Sequence, residues 1–174
     1  MSLRIFCGSV ALAALTLAAC QDAGPLAPPT TPTVSAAVHQ VQLPFRARMA
    51  GTTAYSFSAS CPAYLARMQG AGVATHLGES MVDFSVCGIP LANGDQVYGP
   101  GPTVGVITAD NGDEVWFTTQ SGTYTAATGV IHTHSTIVGG SGRFTGATGS
   151  FEVLGHGAAS GQAWTVEPSG WIRY

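Results

Sequence analysis

Ile137-Val138-Gly139-Gly140-Ser141-Gly142-Arg143-Phe144-Thr145-Gly146-Ala147-Thr148-Gly149-Ser150-Phe151 is the stretch that decides how this chain folds. It lies between two segments of alternating polarity. Gly139-Gly140-Ser141-Gly142 is expected to force a tight reversal, because glycine enters backbone conformations that side chains disfavour. Phe144 and Ala147 are expected to plug the turn against a core, with Gly146 between them, and Gly149 restarts a strand. A phosphate-cradling loop is the competing reading, since Gly140 and Gly142 satisfy Gly-x-Gly. Context speaks against it: no helix follows, no Gly-Lys-Ser/Thr appears, and both flanks alternate as strands do.

Outward from this turn the chain reads as strands throughout. Alternating segments occupy residues 41–50, 53–60, 72–78, 81–87, 103–109, 114–119, 122–126, 130–138, 149–156, 162–167 and 171–174. Asp110-Asn111-Gly112-Asp113 is the strongest hairpin signal, because Asn-Gly tolerates positive φ at both central positions. Asn93-Gly94-Asp95 is a second turn. Helical periodicity is nearly missing beyond the N-terminal segment; residues 62–69 are the best short candidate, for one or two turns. Eight to ten short antiparallel strands with glycine-rich turns point to a sandwich or a closed barrel. Glycine, 23 of 174 residues, is too frequent for ordinary strand interiors, so some must serve bulges and tight corners. Trp164, Trp171 and Tyr174 are expected to pack a rim or core rather than a ligand.

The pattern Gly-Gly-Ser/Thr-Gly-x-Phe-x-Gly-Ala-x-Gly at residues 139–149 resembles the signature turn of the allene oxide cyclase and dirigent superfamily. Similar patterns occur in bacterial secreted proteins, often with an Ala-x-Asn-Gly-Asp turn upstream, which here is Ala109-Asp110-Asn111-Gly112-Asp113. The resemblance covers residues 109–155, and the closing strand through Tyr174 is compatible with it. Residues 38–100 share only the strand rhythm, and the region of Cys61 and Cys87 is not part of the plant pattern. What the resemblance implies is an all-β fold: a single closed antiparallel β-barrel of about eight strands with a mostly apolar cavity. Cyclase members of that superfamily use cavity groups including a glutamate, and dirigent members use cavity acids. Neither set can be placed on positions of this chain, so the turn carries fold and not activity.

Leu17-Ala18-Ala19-Cys20 closes an apolar run that begins at Ile5 behind the basic Arg4. It resembles the lipobox of a bacterial lipoprotein, with Cys20 acylated after removal of residues 1–19 as a signal peptide. A plain secretory signal is the alternative, although Leu17-Ala18-Ala19 matches an Ala-x-Ala site only loosely. A transmembrane anchor needs ~20 apolar residues, and Gln21-Asp22 ends this run too early. Residues 20–37 are rich in proline and threonine and are expected to form a solvated tether. Residues 38–174 then make the barrel domain. The expected location is the cell envelope, with the lipid anchor making a membrane the partner. Gln21 stands where an aspartate retains some lipoproteins at the inner membrane, which favours the outer one.

Composition narrows the function classes. All six basic residues are arginines against nine acids, for a net charge of −3. No basic cluster is present to neutralise phosphates, so nucleic acid is not an expected partner. Cys7 would leave with the signal and Cys20 would take lipid. Cys61 and Cys87 then remain as a pair, expected to form a disulfide in an oxidising envelope. The loop of about 26 residues would be worth ~3 kcal/mol; two free thiols or a redox site are the alternatives, without a Cys-x-x-Cys to favour the latter.

Chemistry-bearing residues form no firm set. His132 and His134 share one strand face, and Glu152 and His156 share one on the next. Two imidazoles and a carboxylate suit Zn²⁺. The opposite face, Ile131, Thr133, Ser135 and Ile137, is the more apolar, so the histidines are expected to face solvent and no metal is expected. His76, with Glu79 or Asp83, is a weaker acid–base candidate. Asp110, Asp113 and Glu114 around the hairpin could hold Ca²⁺, but acidic turns are usually just solvated. No Gly-x-Ser-x-Gly elbow occurs. The expectation is a non-catalytic binding or structural barrel without a cofactor, able to hold a small apolar ligand. The alternatives are a cyclase- or isomerase-like enzyme acting on a reactive lipid-like substrate, and a surface interaction module. The contents of the lumen discriminate them. The oligomeric state is not legible.

Overall fold

A computed structural model describes residues 41–158 and 162–174. The expected signal peptide (1–19), the lipidation residue Cys20, the tether (20–37) and the first three residues of the barrel domain lie outside the described residues.

Side chains of alternate residues point to opposite sheet faces, and that period organises the chain. The strands are β1 (Leu43–Ser56), β2 (Tyr64–Ala74), β3 (Gly78–Pro90), β4 (Gln96–Pro100), β5 (Gly105–Ala109), β6 (Glu114–Thr125), β7 (Val130–Gly140), β8 (Thr148–Gly157) and β9 (Ala163–Arg173). Every pairing is antiparallel. The order β2-β1-β9-β8-β7-β6 continues through β4 and β5, both of which pair with β6 and with β3, and β3 pairs back with β2. β4 and β5 therefore lie end to end as one stave, and nine strands close an eight-stave barrel. Closure leaves no free sheet edge among the described strands to template association.

Several expectations are corrected. Residues 62–69, the helix candidate, enter β2, because pairing to both β1 and β3 outweighs local propensity. Their period is two: Ala66 and Met68 are buried while Arg67 and Gln69 are exposed. The segments 41–50 and 53–60 fuse into β1, running through Gly51. Likewise 114–119 and 122–126 fuse into β6, with a register shift between Thr119 and Ser121 taking up the irregularity. Residues 72–78 are mostly the end of β2 and the turn after it. β4 was not anticipated at all. In the Asn-Gly turns only the glycines have positive φ, Gly112 at 84° and Gly94 at 87°. Gly112 N–H donates to Ala109 O and Gly94 N–H to Leu91 O. Both are thus type I turns followed by a left-handed glycine, not the mirror-image turn.

The glycine-rich turn forms one end of the barrel. Residues Gly142–Phe144 make a single 3₁₀ turn, and Phe144 is fully buried. Its ring meets Tyr174 at 4.7 Å between centroids, and Arg143 lies over it at 5.0 Å. Gly142 has φ +57°, and a Cβ there would run into the Asp113 carboxylate. Arg143 Nε in turn pairs with Asp113 Oδ2 at 3.3 Å, and Ser141 N–H donates to Glu114 O at 3.0 Å. The two sequence patterns at 109–113 and 139–149 are therefore halves of one interlocked plug. Above it a run of rings fills the lower lumen: Phe45, Phe151, Phe117 and Phe84, with successive centroids 5.3 to 5.5 Å apart.

Candidate functional site

Above the phenylalanines the packing is incomplete. A cavity of about 40 Å³, measured as the space open to the centre of a water-sized sphere, remains inside the barrel; that is room for roughly three waters. Phe84, Phe117 and Phe151 floor it, and Met49 and Met68 line its wall. Methionine is the most adaptable apolar side chain, so these two positions let the space change shape. Its polar lining is confined to uncharged groups, among them Thr119, Thr133 and Ser135, and the hydroxyls of Thr119 and Ser135 meet each other at 3.3 Å. No Asp, Glu, His, Lys, Arg or Cys lines it among the described residues.

Trp164 forms the cavity's upper wall. It stands opposite Gly51 of β1, and Gly51 stands opposite Gly70 of β2. The indole lies over both glycines, where any Cβ would occupy the volume of its six-membered ring. This row explains two of the strand-interior glycines: they are the floor on which one large ring rests. Trp164 is only 3% exposed, and its Nε1 is buried with no hydrogen-bond partner among the described residues.

Beyond Trp164 lies the mouth, at the end opposite the plug. A smaller pocket of about 20 Å³ there is bordered by Thr53, Tyr55, Gln96 and Tyr124, and shares Met68, Tyr98, Ile131 and Trp164 with the cavity below. Gly88, paired with both Tyr64 and Tyr98, lets the Tyr64 ring fold across β3. Tyr64 Oη donates to Gln96 Oε1 at 2.6 Å, and Tyr98 Oη donates to the same oxygen at 2.8 Å. Burial pushes the Tyr64 phenol up to about 12, the nearby Tyr55 adding to it; Tyr98 and Tyr55 are raised for the same leading reason. The phenols are thus neutral hydrogen-bond groups and not acids at physiological pH.

The disulfide ties the mouth. Cys61, in the β1–β2 connection, is bonded to Cys87 of β3 with an S–S distance of 2.06 Å, as expected of the pair and not as two free thiols.

The other residues singled out in the sequence go elsewhere. His132 Nε2 meets Glu152 Oε2 at 2.6 Å on the outer face, where both are half exposed. His134 is the direct cross-strand neighbour of Glu152, and His156 stands opposite Val130 and Thr165. No three His, Cys, Asp or Glu side chains come together as a metal would need, among the described residues. His76 is not paired with Glu79 or Asp83. It has φ +69°, its Nε2 contacts Pro44 O at 2.9 Å, its carbonyl accepts from Arg143, and its ring packs on Tyr174. It is a structural residue of the plugged end. Asp83 takes Arg67 and Gln69 instead, and the Arg67 hydrogen bond holds its carboxyl below the usual range. In the acidic hairpin Asp113 pairs with Arg143 and accepts from Asn111 Nδ2 at 3.0 Å, and Glu114 accepts from Trp116 Nε1 at 2.8 Å. Gly139 lies against Trp116, Gly140 against Phe144, and Gly149 against Trp171 and Ile137. Gly146 has φ +76°.

Tyr64, Gln96 and Tyr98 escaped sequence reasoning, whereas Trp164 packs the barrel core as expected of it. The available signal was glycine inside strands, which marks where a ring lies flat on the inner wall.

The chain folds as a plugged eight-stave antiparallel barrel with an apolar lumen and a neutral, aromatic mouth, a fold it shares with a dirigent protein. Among solved structures the chain is similar to a pterocarpan synthase dirigent protein, with a TM-score of 0.55 at 12% identity, over 87% of this chain and 99% of that one. At that identity the likeness is one of fold. No protein-family model matches the chain, and no curated protein does.

Proposed function

We propose that this protein stands in the bacterial cell envelope, held to the outer membrane by lipid on Cys20, and that its barrel binds a small apolar molecule without transforming it. The lipobox-like Leu17-Ala18-Ala19-Cys20 supports the anchor. β1 enters the barrel at the plugged end, so the mouth is at the end away from that entry. The single observation that carries the binding reading is the internal cavity lined by apolar and uncharged side chains. The gap holds only a few waters as it stands, and the two methionines on its wall allow it to widen around a guest.

A cyclase or isomerase working in this lumen would need a group that ionises near neutral pH. The described lining offers hydroxyls, an indole and thioethers, and the nearest phenols are held neutral. Binding is therefore the better-supported function.

The test uses ethylbenzene and the methionine methyl resonances. Met49 and Met68 line the cavity, while Met81 is 69% exposed on the outer wall. Saturable shifts at Met49 and Met68 with Met81 unmoved are the expected result. Methyls that stay in place at the solubility limit of ethylbenzene overturn the binding reading. Separately, palmitate labelling in a bacterial host is expected to vanish in Cys20→Ser, and label that persists removes the anchor.

A further inference from the structure

We propose that the lumen's ligand is a neutral molecule whose apolar body carries one hydrogen-bond acceptor, a carbonyl or ether oxygen, seated on Trp164 Nε1. This rests on the reading of the lumen as a binding site and adds what the ligand must contain.

Trp164 Nε1 is the buried side-chain polar atom without a partner among the described residues. Buried indole N–H groups ordinarily find an acceptor, because leaving a desolvated donor unmade is unfavourable. No neighbouring polar group accepts from it among the described residues. Thr119 and Ser135 hydroxyls face each other, and the Tyr64 and Tyr98 phenols both donate to Gln96 Oε1. Trp164 lines the cavity and the mouth pocket alike. Nε1 itself is closed to a water-sized sphere, so an acceptor reaches it only as the lumen widens around a guest, with the rest of the molecule down among Met49, Val82 and Phe117.

The ligand's charge follows from the arginines. Arg48 pairs with Glu167, Arg67 with Asp83, Arg143 with Asp113, and Arg173 reaches Gln42; among the described residues no arginine or histidine lines the lumen. A carboxylate would lose its water there and meet no cation in exchange. A neutral oxygen needs only the one donor available.

Acetophenone and ethylbenzene test this, since they share a ring and differ by a carbonyl in place of a methylene. The protein has three tryptophans, so the ¹⁵N-labelled chain gives three indole signals, and Trp164→Phe identifies the one to watch. Acetophenone is expected to move the Trp164 indole proton downfield and ethylbenzene to leave it without that shift. The affinity ratio of the two compounds is expected to fall about tenfold in Trp164→Phe, the worth of one neutral hydrogen bond. If both compounds bind wild type and the ratio is unchanged in the variant, with the indole proton unmoved, the acceptor inference fails while the binding site stands. If neither binds, both fail. A response at Trp116 or Trp171 instead also overturns the inference. Should Trp164→Phe not fold, the wild-type indole response alone decides.

Discussion

Phe144→Ala tests whether the glycine-rich turn is the plug on which the barrel depends. The ring is fully buried, edge-on to Tyr174 at 4.7 Å and beneath the Arg143 guanidinium at 5.0 Å. Truncating a buried phenylalanine removes its transfer free energy and leaves a hole, together ~3–5 kcal/mol. Here the hole cannot collapse easily, because Gly140 and Gly142 fix the backbone beneath it against Glu114 and Asp113, so the upper half of that range is expected. A barrel of about 130 residues has an unfolding entropy near 0.28 kcal/mol per kelvin at its midpoint, and ~4–5 kcal/mol then lowers Tm by ~14–18 °C. Thermal unfolding followed by near-ultraviolet circular dichroism reads this directly. Phe144→Leu, which keeps most of the volume, should lose less than half as much. A loss below about 1 kcal/mol in Phe144→Ala would mean that the turn is an ornament of the barrel end, and the argument from motif to fold would collapse with it.

Replacing Cys61 and Cys87 together by alanine opens a loop spanning 26 residues and is expected to lower stability by ~3 kcal/mol on the chain-entropy account; a chemical-denaturation midpoint unchanged by reduction would refute that. The tyrosine mouth predicts an alkaline transition. Folded Tyr64 titrates at about 12 against an ordinary value of 10.0, so its contribution is complete below pH 10 and is lost as pH rises through the folded value. Ultraviolet titration of phenolate should show part of the five tyrosines ionising late and together with unfolding, whereas one transition centred on 10 for all five refutes the buried mouth. On the outer face, Glu152→Gln should change stability by less than ~1 kcal/mol, since the His132–Glu152 pair is exposed. Zinc calorimetry on the wild type should give no site-binding heat, and micromolar affinity would overturn that reading.

What was legible in the sequence was whatever is local. The turn at 139–149 needs only neighbours in the chain to reverse, and its partner Asn-Gly-Asp turn likewise, so both could be read off before their docking was seen. Period two in β7 put Ile131, Ser135 and Ile137 on one face, and they are the buried ones. The disulfide followed from counting cysteines. The reading failed where pairing partners decide the outcome. Residues 62–69 carry Leu, Ala, Arg, Met and Gln, all good helix formers, yet two flanking strands supply ladders that no single-stranded reading can see. The Asn-Gly turns were right in place and wrong in hand, because the dipeptide permits the mirror turn without requiring it.

The candidate site was illegible for a related reason, and the glycines show why. A cavity inside a barrel is made by a few inward residues from each stave, one to three here, scattered from Met49 to Pro168, and none is unusual alone. What is unusual is the row Trp164–Gly51–Gly70, three positions from three strands that register places side by side. In sequence these look like two weak points in strands and one terminal aromatic. In register the glycines become the only residues small enough to lie under the indole, and the indole becomes a donor carried into the interior. The same logic recurs at Tyr64 over Gly88, but there Gln96 accepts the hydroxyl's proton. One buried aromatic is satisfied by the protein and the other is not. That difference, visible only once strands are paired and hydrogen bonds are counted, is what separates a structural ring at the mouth from a ring that awaits a partner.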